Sequence, residues 1–362
     1  MIKYIGSKRR LIPIISEIVG RIASAPGSRV RTVLDAFSGS ARVGHALKSM
    51  GFYVIANDFY HYAFTIAKAL VEADRREYPE EKVNPILERL SRLPPKRGWF
   101  TKTYCEEARF FQVKNGERIE AIREHIERHY ADDPTLKAVL LTSLILAADK
   151  VDSTTGVQMA YLKDWAPRSY NDLRLEYPPL LPGAGKALLG DAIEVVDQIK
   201  ADILYLDPPY NQHSYLGNYH IWETVVLWDN PKTYGVARKR EDVKYRKSVF
   251  NSRRSAKEAL SRLLSKARTP HILLSFNNEG FFTAQEIEDL LKEWGYVVRL
   301  SRRHKRYIGA VIGVYNPKGE KVGSVSHTEN TEFLFLVTRS RKVYDEFKPF
   351  LTEGVVVQPP LF

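Results

Sequence analysis

An α/β fold built on a mostly parallel sheet is predicted by three features of the 362-residue sequence. Short apolar runs ending in turn residues recur towards both ends of the chain. The first two of them enclose one amphipathic helix, and the long stretch between the second and third shows helical spacing without strand alternation.

Taken in order, the runs are Thr32–Phe37, Tyr53–Asn57, Ile203–Leu206, His271–Phe276, Tyr296–Leu300 and Glu332–Thr338. Val43, Ala46, Leu47 and Met50 fall at helical spacing between the first two, and Gly51 stops that helix. Strand, helix and strand in so few residues make a βαβ unit with a right-handed crossover. The turn-rich stretch from Asn316 to Asn330 predicts an antiparallel hairpin at the sheet edge. From 71 to 181 the pattern is helical, clearest over Glu117–Tyr130 and Leu136–Val151. The expected organisation is therefore a discontinuous core, 1–70 and 182–362, interrupted by a helical insert, 71–181. A basic segment, Arg238–Lys266, reads as a flexible loop followed by a helix.

Composition narrows the class. With 44% hydrophobic residues the chain can bury a real core, and 55 Lys+Arg against 43 Asp+Glu give a formal charge of +12, which favours a polyanionic partner. Cys105 is the only cysteine, so no intrachain disulfide forms and a reducing compartment is expected. No apolar run is long enough to span a membrane, and the N-terminal stretch is broken by Glu17 and shows no cleavage site. A cytoplasmic location is the expectation.

Two stretches carry chemistry. The first run leads into DAFSGSARVG, Asp35 to Gly44, a glycine-containing turn between strand and helix that lets backbone approach a ligand. It lacks the full dinucleotide fingerprint, so a pyrophosphate fits poorly. The second run ends at Asn57-Asp58, where an acid can accept both ribose hydroxyls; together these features point to a nucleoside site. Leu181–Ala187 (LPGAGKA) resembles a fragment of a phosphate loop, but Ala187 replaces the hydroxyl residue it requires. His125 and His129 sit one helical turn apart without a third ligand nearby, which reads as a solvated face, and no metal is expected.

The other stretch is Asp207-Pro208-Pro209-Tyr210, at the end of a buried run. Neither proline can extend a hydrogen-bonded ladder, so the corner is rigid and presents a carboxylate, a carbonyl and an aromatic ring. An aromatic amino group is a poor nucleophile because its lone pair is delocalised into the ring. Accepting its hydrogens on Asp207 and the Pro208 carbonyl localises that lone pair, while Tyr210 can stack on an extruded base.

KYIGSK (Lys3–Lys8), FSGSA (Phe37–Ala41), a helical middle and DPPY (Asp207–Tyr210) follow one another in this order. In that arrangement the sequence resembles the alpha-group DNA N6-adenine methyltransferases, the class that includes enzymes methylating adenine in GATC. The resemblance implies a Rossmann-like, S-adenosylmethionine-dependent methyltransferase sheet carrying a target-recognition insert. It implies a cofactor pocket of Tyr4, Lys8, Asp35, Phe37, Ser38, Gly39, Ser40, Asp58, Phe59, Asp191 and Ala192, reaching Asp207. Within it Lys8 would lie near the cofactor's carboxylate, Asp58 would hold the ribose, Phe59 would lie beside the adenine and Asp191 would accept from the adenine amino group. Asp207, Pro208, Pro209 and Tyr210 would act on the target base.

Duplex DNA is the implied partner, and a cognate restriction endonuclease is left open. Ser153, Gln158, Lys163, Asn211, His213 and Tyr215 are candidate DNA contacts, and the cations of Arg238–Lys247 and Arg302–Arg306 are candidate phosphate contacts. Ala41 stands where the family places its second glycine. Because alanine avoids positive φ, the loop is expected to sit slightly differently and to weaken cofactor binding without abolishing it. Methylation of adenine in structured RNA, of cytosine at N4, or a catalytically idle DNA-binding protein are the rival readings. The intact Asp207–Tyr210 corner argues against the last.

Overall fold

A computed structural model describes residues 1–25, 27–305 and 329–349. Its centre is a seven-stranded sheet of β1 (Thr32–Asp35), β2 (Tyr53–Asp58), β3 (Gly185–Leu189), β4 (Ile203–Leu206), β5 (His271–Asn277), β6 (Tyr296–Lys305) and β7 (Glu329–Thr338). They lie in the order β3-β2-β1-β4-β5-β7-β6. The first five are mutually parallel, and β7 is antiparallel to both β5 and β6, so the expected edge hairpin is present, with β6 outermost. Chain order reverses direction beside β1, whose neighbours are β2 and β4, and α/β sheets open a ligand crevice at the carboxyl ends of strands at such a switch point.

Four of these strands are legible because both their faces are covered. β4 and β5 are buried throughout, as parallel strands between two helical layers must be. β1 stops at Asp35, two residues before the expected end, because the chain turns there into the loop. β3 is a correction: Gly185, set aside with the phosphate-loop fragment, begins an edge strand. A Cβ at Gly185 would lie 2.3 Å from the Val71 carbonyl oxygen, so glycine is required by a close backbone approach.

One face of the sheet carries helices Ile12–Ser24, Arg42–Ser49 and His61–Ala67, and the other carries Ala192–Gln198, Arg253–Lys266 and Ala284–Lys292. Between β2 and β3 the principal helices are Glu80–Ser91, Val113–Tyr130 and Pro134–Val151, with no strand among residues 71–181. Asp133 caps the last of these by accepting from the amides of Thr135 (3.1 Å) and Leu136 (2.9 Å), ahead of Pro134 at the first helical position. That helix is apolar nearly all round because its neighbours enclose it. Leu140 and Ile145 join Tyr62, Leu70 and Trp222 in one continuous core.

The first half of the basic segment is not the flexible loop expected. Near its start Lys239–Arg240 pair antiparallel with Thr233–Tyr234 just before it, two short 3-10 turns follow, and only then the helix Arg253–Lys266.

Candidate active site

The carboxyl ends of β1, β2, β3 and β4 open onto one cavity of about 920 Å³, its mouth included. All twelve residues expected to meet the cofactor, from Tyr4 to Asp207, line it.

The loop after β1 turns through two left-handed residues, Gly39 (φ 53°) and Ala41 (φ 58°). Gly39 admits no larger side chain, because a Cβ there would stand 2.9 Å from Cε1 of Tyr4. Its amide donates to Asp58 Oδ2 at 2.8 Å, and the Tyr60 amide donates to Asp58 Oδ1 at 3.0 Å. The end of β2 thus holds the loop in place, leaving one lone pair on each Asp58 oxygen. Burial lifts the Asp58 carboxyl to about 6, against the pull of these amides. Contrary to the expectation that alanine avoids positive φ, Ala41 takes the left-handed conformation that suits glycine, at a cost of roughly 1–2 kcal/mol, and its methyl is fully buried.

Asp35 is buried in the cavity wall, and neither carboxylate oxygen makes a well-formed hydrogen bond, the amides of Phe37 and Gly44 being only loose neighbours. Burial first, then the charges of Asp207 and Asp58, lift its carboxyl to about 8. Asp191 caps the helix Ala192–Gln198 by accepting from the Ile193 amide at 2.8 Å. Phe37 packs edge-on against Phe250 at 5.2 Å, and Phe59 stays exposed at the rim.

At the end of β4 the prolines break the ladder and Asp207 turns into the cavity. Its Oδ1 lies 3.0 Å from the ammonium of buried Lys8. Burial raises the Asp207 carboxyl to about 6, with Lys8 opposing; burial lowers the Lys8 ammonium, but Asp207, Tyr210, Glu332 and Tyr205 together outweigh it and hold it well above its ordinary value. The pair is therefore ionic at neutral pH. Lys8, expected near the cofactor's carboxylate, thus also sets its charge on the carboxylate of the corner.

Pro209 lines the cavity, while Pro208 and Tyr210 are not part of its wall. Tyr210 is fixed from three directions. Its ring meets Phe276 edge-on at 5.4 Å, its hydroxyl accepts from Asn277 Nδ2 at 3.0 Å, and its carbonyl accepts from the Phe281 amide at 2.8 Å. Asn277 is not among the expected site residues, and its sequence signal is the polar pair Asn277-Asn278 that ends the apolar run HILLSF.

Tyr4 stacks on Tyr219 at 4.6 Å and on Tyr215 at 5.4 Å, and its hydroxyl meets that of Tyr62 at 3.1 Å. Tyr60 and Tyr62 continue this cluster, which no spacing rule exposes because its members come from three separate segments. Lys247, expected as a phosphate contact, also lines the cavity, together with Ser248, Val249 and Phe250, which carry no sequence signal.

The expected DNA contacts are placed unevenly. Ser153 and Gln158 are buried: Ser153 Oγ accepts from the Ala166 amide at 3.0 Å, and Gln158 Oε1 accepts from the Ile221 amide at 2.8 Å, at the start of helix His220–Leu227. Both hold the chain's own turns instead of facing a nucleic acid. Lys163 and His213 are exposed, and Asn211 accepts from the His213 amide at 3.1 Å in a turn that Asn251 ties down. Tyr215 belongs to the cavity wall.

Within Arg238–Lys247, buried Arg240 is bidentate to Asp229 at 2.7 Å, and Arg246 pairs with Glu223 (2.8 Å) and Asp242 (3.0 Å), so neither is available to a phosphate. Arg302 donates to the Arg10 carbonyl at 2.6 Å. Only the backbone of 303–305 is described, and Arg306 lies outside the described residues.

This sheet order, with its cavity at the switch point, is a Rossmann-like methyltransferase architecture. The model of the D12 class N6 adenine-specific DNA methyltransferases matches residues 4–278, and the chain belongs to that family. It is accordingly an adenine-specific DNA methyltransferase. It is similar to the Type II methyltransferase M.NlaIII of Neisseria lactamica, 30% identical over 92% of this chain and 97% of that one. It is also similar to modification methylase StsI of Streptococcus sanguinis (32% identical, 81% of this chain, 46% of that one) and Type II methyltransferase M.FokI of Planomicrobium okeanokoites (31%, 81% and 47%). The chain thus spans nearly all of the first relative and about half of the other two. No helix of the described residues is long and apolar enough to cross a membrane.

Proposed function

We propose that the methyl donor is S-adenosylmethionine and that the acceptor is an adenine extruded from duplex DNA into the mouth beside Asp207. The observation that carries this is the meeting, in one cavity, of the loop after β1 and the Asp207 corner after β4.

The residues present fit the donor. The paired oxygens of Asp35, buried without a well-formed hydrogen bond, are acceptors suited to an ammonium, and Gly39 lets the backbone approach closely. Asp58 keeps lone pairs for ribose hydroxyls, and Asp191 has an oxygen beyond the one capping its helix. When bound, S-adenosylmethionine supplies an electrophilic methyl group on a sulfonium.

The remaining work falls to the chain's own side chains. Asp207 and the Pro208 carbonyl accept hydrogens from the target amino group, so that nitrogen's lone pair points towards the donor side. Lys8 keeps Asp207 ionised in a buried place where it would otherwise take up a proton. The corner is preorganised by its two prolines and by the three contacts on Tyr210. After transfer the surplus proton leaves the nitrogen for water, so Asp207 need not be a strong base, and the scheme asks for no metal.

In this reading 1–70 and 182–362 form the catalytic core, and 71–181 serve target recognition with Lys163 and His213 among the DNA contacts. A cognate restriction endonuclease and a cytoplasmic setting are part of the proposal, in keeping with the Type II and modification-methylase names of the relatives. The test is Asp207→Asn, which preserves shape. Methyl transfer to duplex oligonucleotides should fall by about 10²–10³ while calorimetric affinity for S-adenosylmethionine is retained. A variant that stays active would refute the assignment.

A further inference from the structure

We propose that the hairpin spanning Thr233 to Arg240 is a groove-reading element, which enters the major groove of duplex DNA with Val236 at its tip. This deepens the reading above and rests on it.

Val236 is 76% exposed and Tyr245, a few residues on, is 75% exposed, the two largest values among the exposed large hydrophobic residues described. An apolar tip held out in water needs a reason, and the hairpin is built to hold it there. A ladder of two residue pairs is not stable by itself. Here its root is clamped by Arg240, whose guanidinium is buried and donates to both oxygens of Asp229 (2.7 Å each), to both oxygens of Asp242 (3.1 and 3.2 Å) and to Thr224 Oγ1 (3.3 Å). The Glu241 amide closes the ladder on the Lys232 carbonyl at 2.9 Å. At the far end Gly235 (φ 67°) and Arg238 (φ 44°) make the turn. The tip is therefore presented in a fixed shape, which lowers the ordering cost of binding.

The charge around it selects the partner. Lys232, Lys239 and Lys247 make no ion pair among the described residues, whereas Arg240 and Arg246 are paired internally. Lys239 is partly buried without a counter-ion, and burial lowers its ammonium. A desolvated cation of this kind is completed by a phosphate. Two isolated apolar side chains are too little for a protein–protein interface, but a two-stranded ribbon with a small apolar tip and basic flanks fits a major groove about 12 Å wide. The position is right as well. The chain leaves the hairpin through Arg246, tied to Glu223 and close to His61, and runs directly into the cavity-lining residues Lys247 to Phe250. The ribbon thus stands beside the mouth, where the flanks of an extruded base would lie.

The experiment expresses the wild-type chain, Val236→Ser and Lys239→Gln in a host free of adenine methylation and maps modified adenines by long-read sequencing. A duplex carrying the mapped site, and duplexes differing from it by one base pair, then serve for kcat/KM and for affinity against salt. Both substitutions are away from the cavity wall, and unchanged Tm and cofactor affinity verify the fold. Val236→Ser should lower discrimination at one flanking position by about tenfold or more. Lys239→Gln should weaken binding to all the duplexes alike and reduce the salt slope by about 1. Wild-type motif, kcat/KM and salt slope in both variants, with a wild-type chain that methylates duplex DNA, would overturn this inference alone. A wild-type chain that leaves duplex DNA unmodified would overturn the functional reading together with it.

Discussion

Replacing Lys8 by glutamine removes the only cation paired with Asp207 among the described residues, and its effect can be worked from their separation. At 3.0 Å and an effective dielectric of about 20, two unit charges attract by roughly 5 kcal/mol. Asp207 keeps some contact with solvent, and water filling the space left by the ammonium would screen the carboxylate. We therefore expect about 1.5–3 kcal/mol to be lost, which is one to two pH units. Burial already holds the Asp207 carboxyl at about 6, with the Glu332 charge adding to the rise. Single-turnover transfer of tritiated methyl groups at saturating cofactor should lose activity below about pH 6 in the wild-type chain, because the protonated acid no longer accepts from an amine. In Lys8→Gln the half-maximal point should move to about pH 7–8. Stability gives an independent sign. A carboxyl whose folded pKa lies above its unfolded value contributes most below the unfolded value of 3.8 and loses that contribution as pH rises through the folded one. The variant's deficit in urea midpoint should thus grow from pH 5 to pH 9. An acid limb unmoved by the substitution would sink the argument that Lys8 maintains the charge on the corner.

Three further outcomes are expected. Gly39→Ala places a methyl 2.9 Å from the Tyr4 ring at a left-handed φ, so it should destabilise the protein by about 1–3 kcal/mol and weaken cofactor binding; an unchanged urea midpoint would contradict the packing described. Asn277→Ala frees the Tyr210 hydroxyl and should raise KM for duplex DNA several-fold with little change in cofactor affinity, checked by the fluorescence of 2-aminopurine at the target position; an unaltered KM would mean that the contact is idle. Binding a cation at Asp35, whose carboxyl stands at about 8 in the free protein, should lower that value and release a proton near pH 7. Calorimetry in buffers of different ionisation enthalpy reads this directly, and a buffer-independent enthalpy would argue against Asp35 as the ammonium's acceptor.

What the sequence exposed follows from how each feature is encoded. β4 and β5 are contiguous apolar runs because both their faces are covered, and the corner after β4 announces itself through two prolines. β3 is hidden because an edge strand, GKALL, is short and its first three residues also belong to the phosphate-loop-like fragment. Ser153 and Gln158 are polar residues whose side chains satisfy buried amides, and a sequence does not distinguish an amide partner in the protein from one in a ligand. The loss of Arg240 and Arg246 from the expected phosphate contacts has the same origin, since Asp229 and Glu223, which join the nearby Asp242 as their partners, come from other elements. Asn277 and the tyrosines around Tyr4 act through distances between segments far apart in the chain.

Tyr4 rests on Gly39 of the loop after β1 with one part of its ring and on Tyr215, near the corner, with another. In the proposed scheme both halves of the reaction therefore lean on one phenol. Substitutions on its two sides should be non-additive in a double-mutant cycle, and a chemical screen against the donor pocket should find compounds whose apparent affinity depends on whether an oligonucleotide is present.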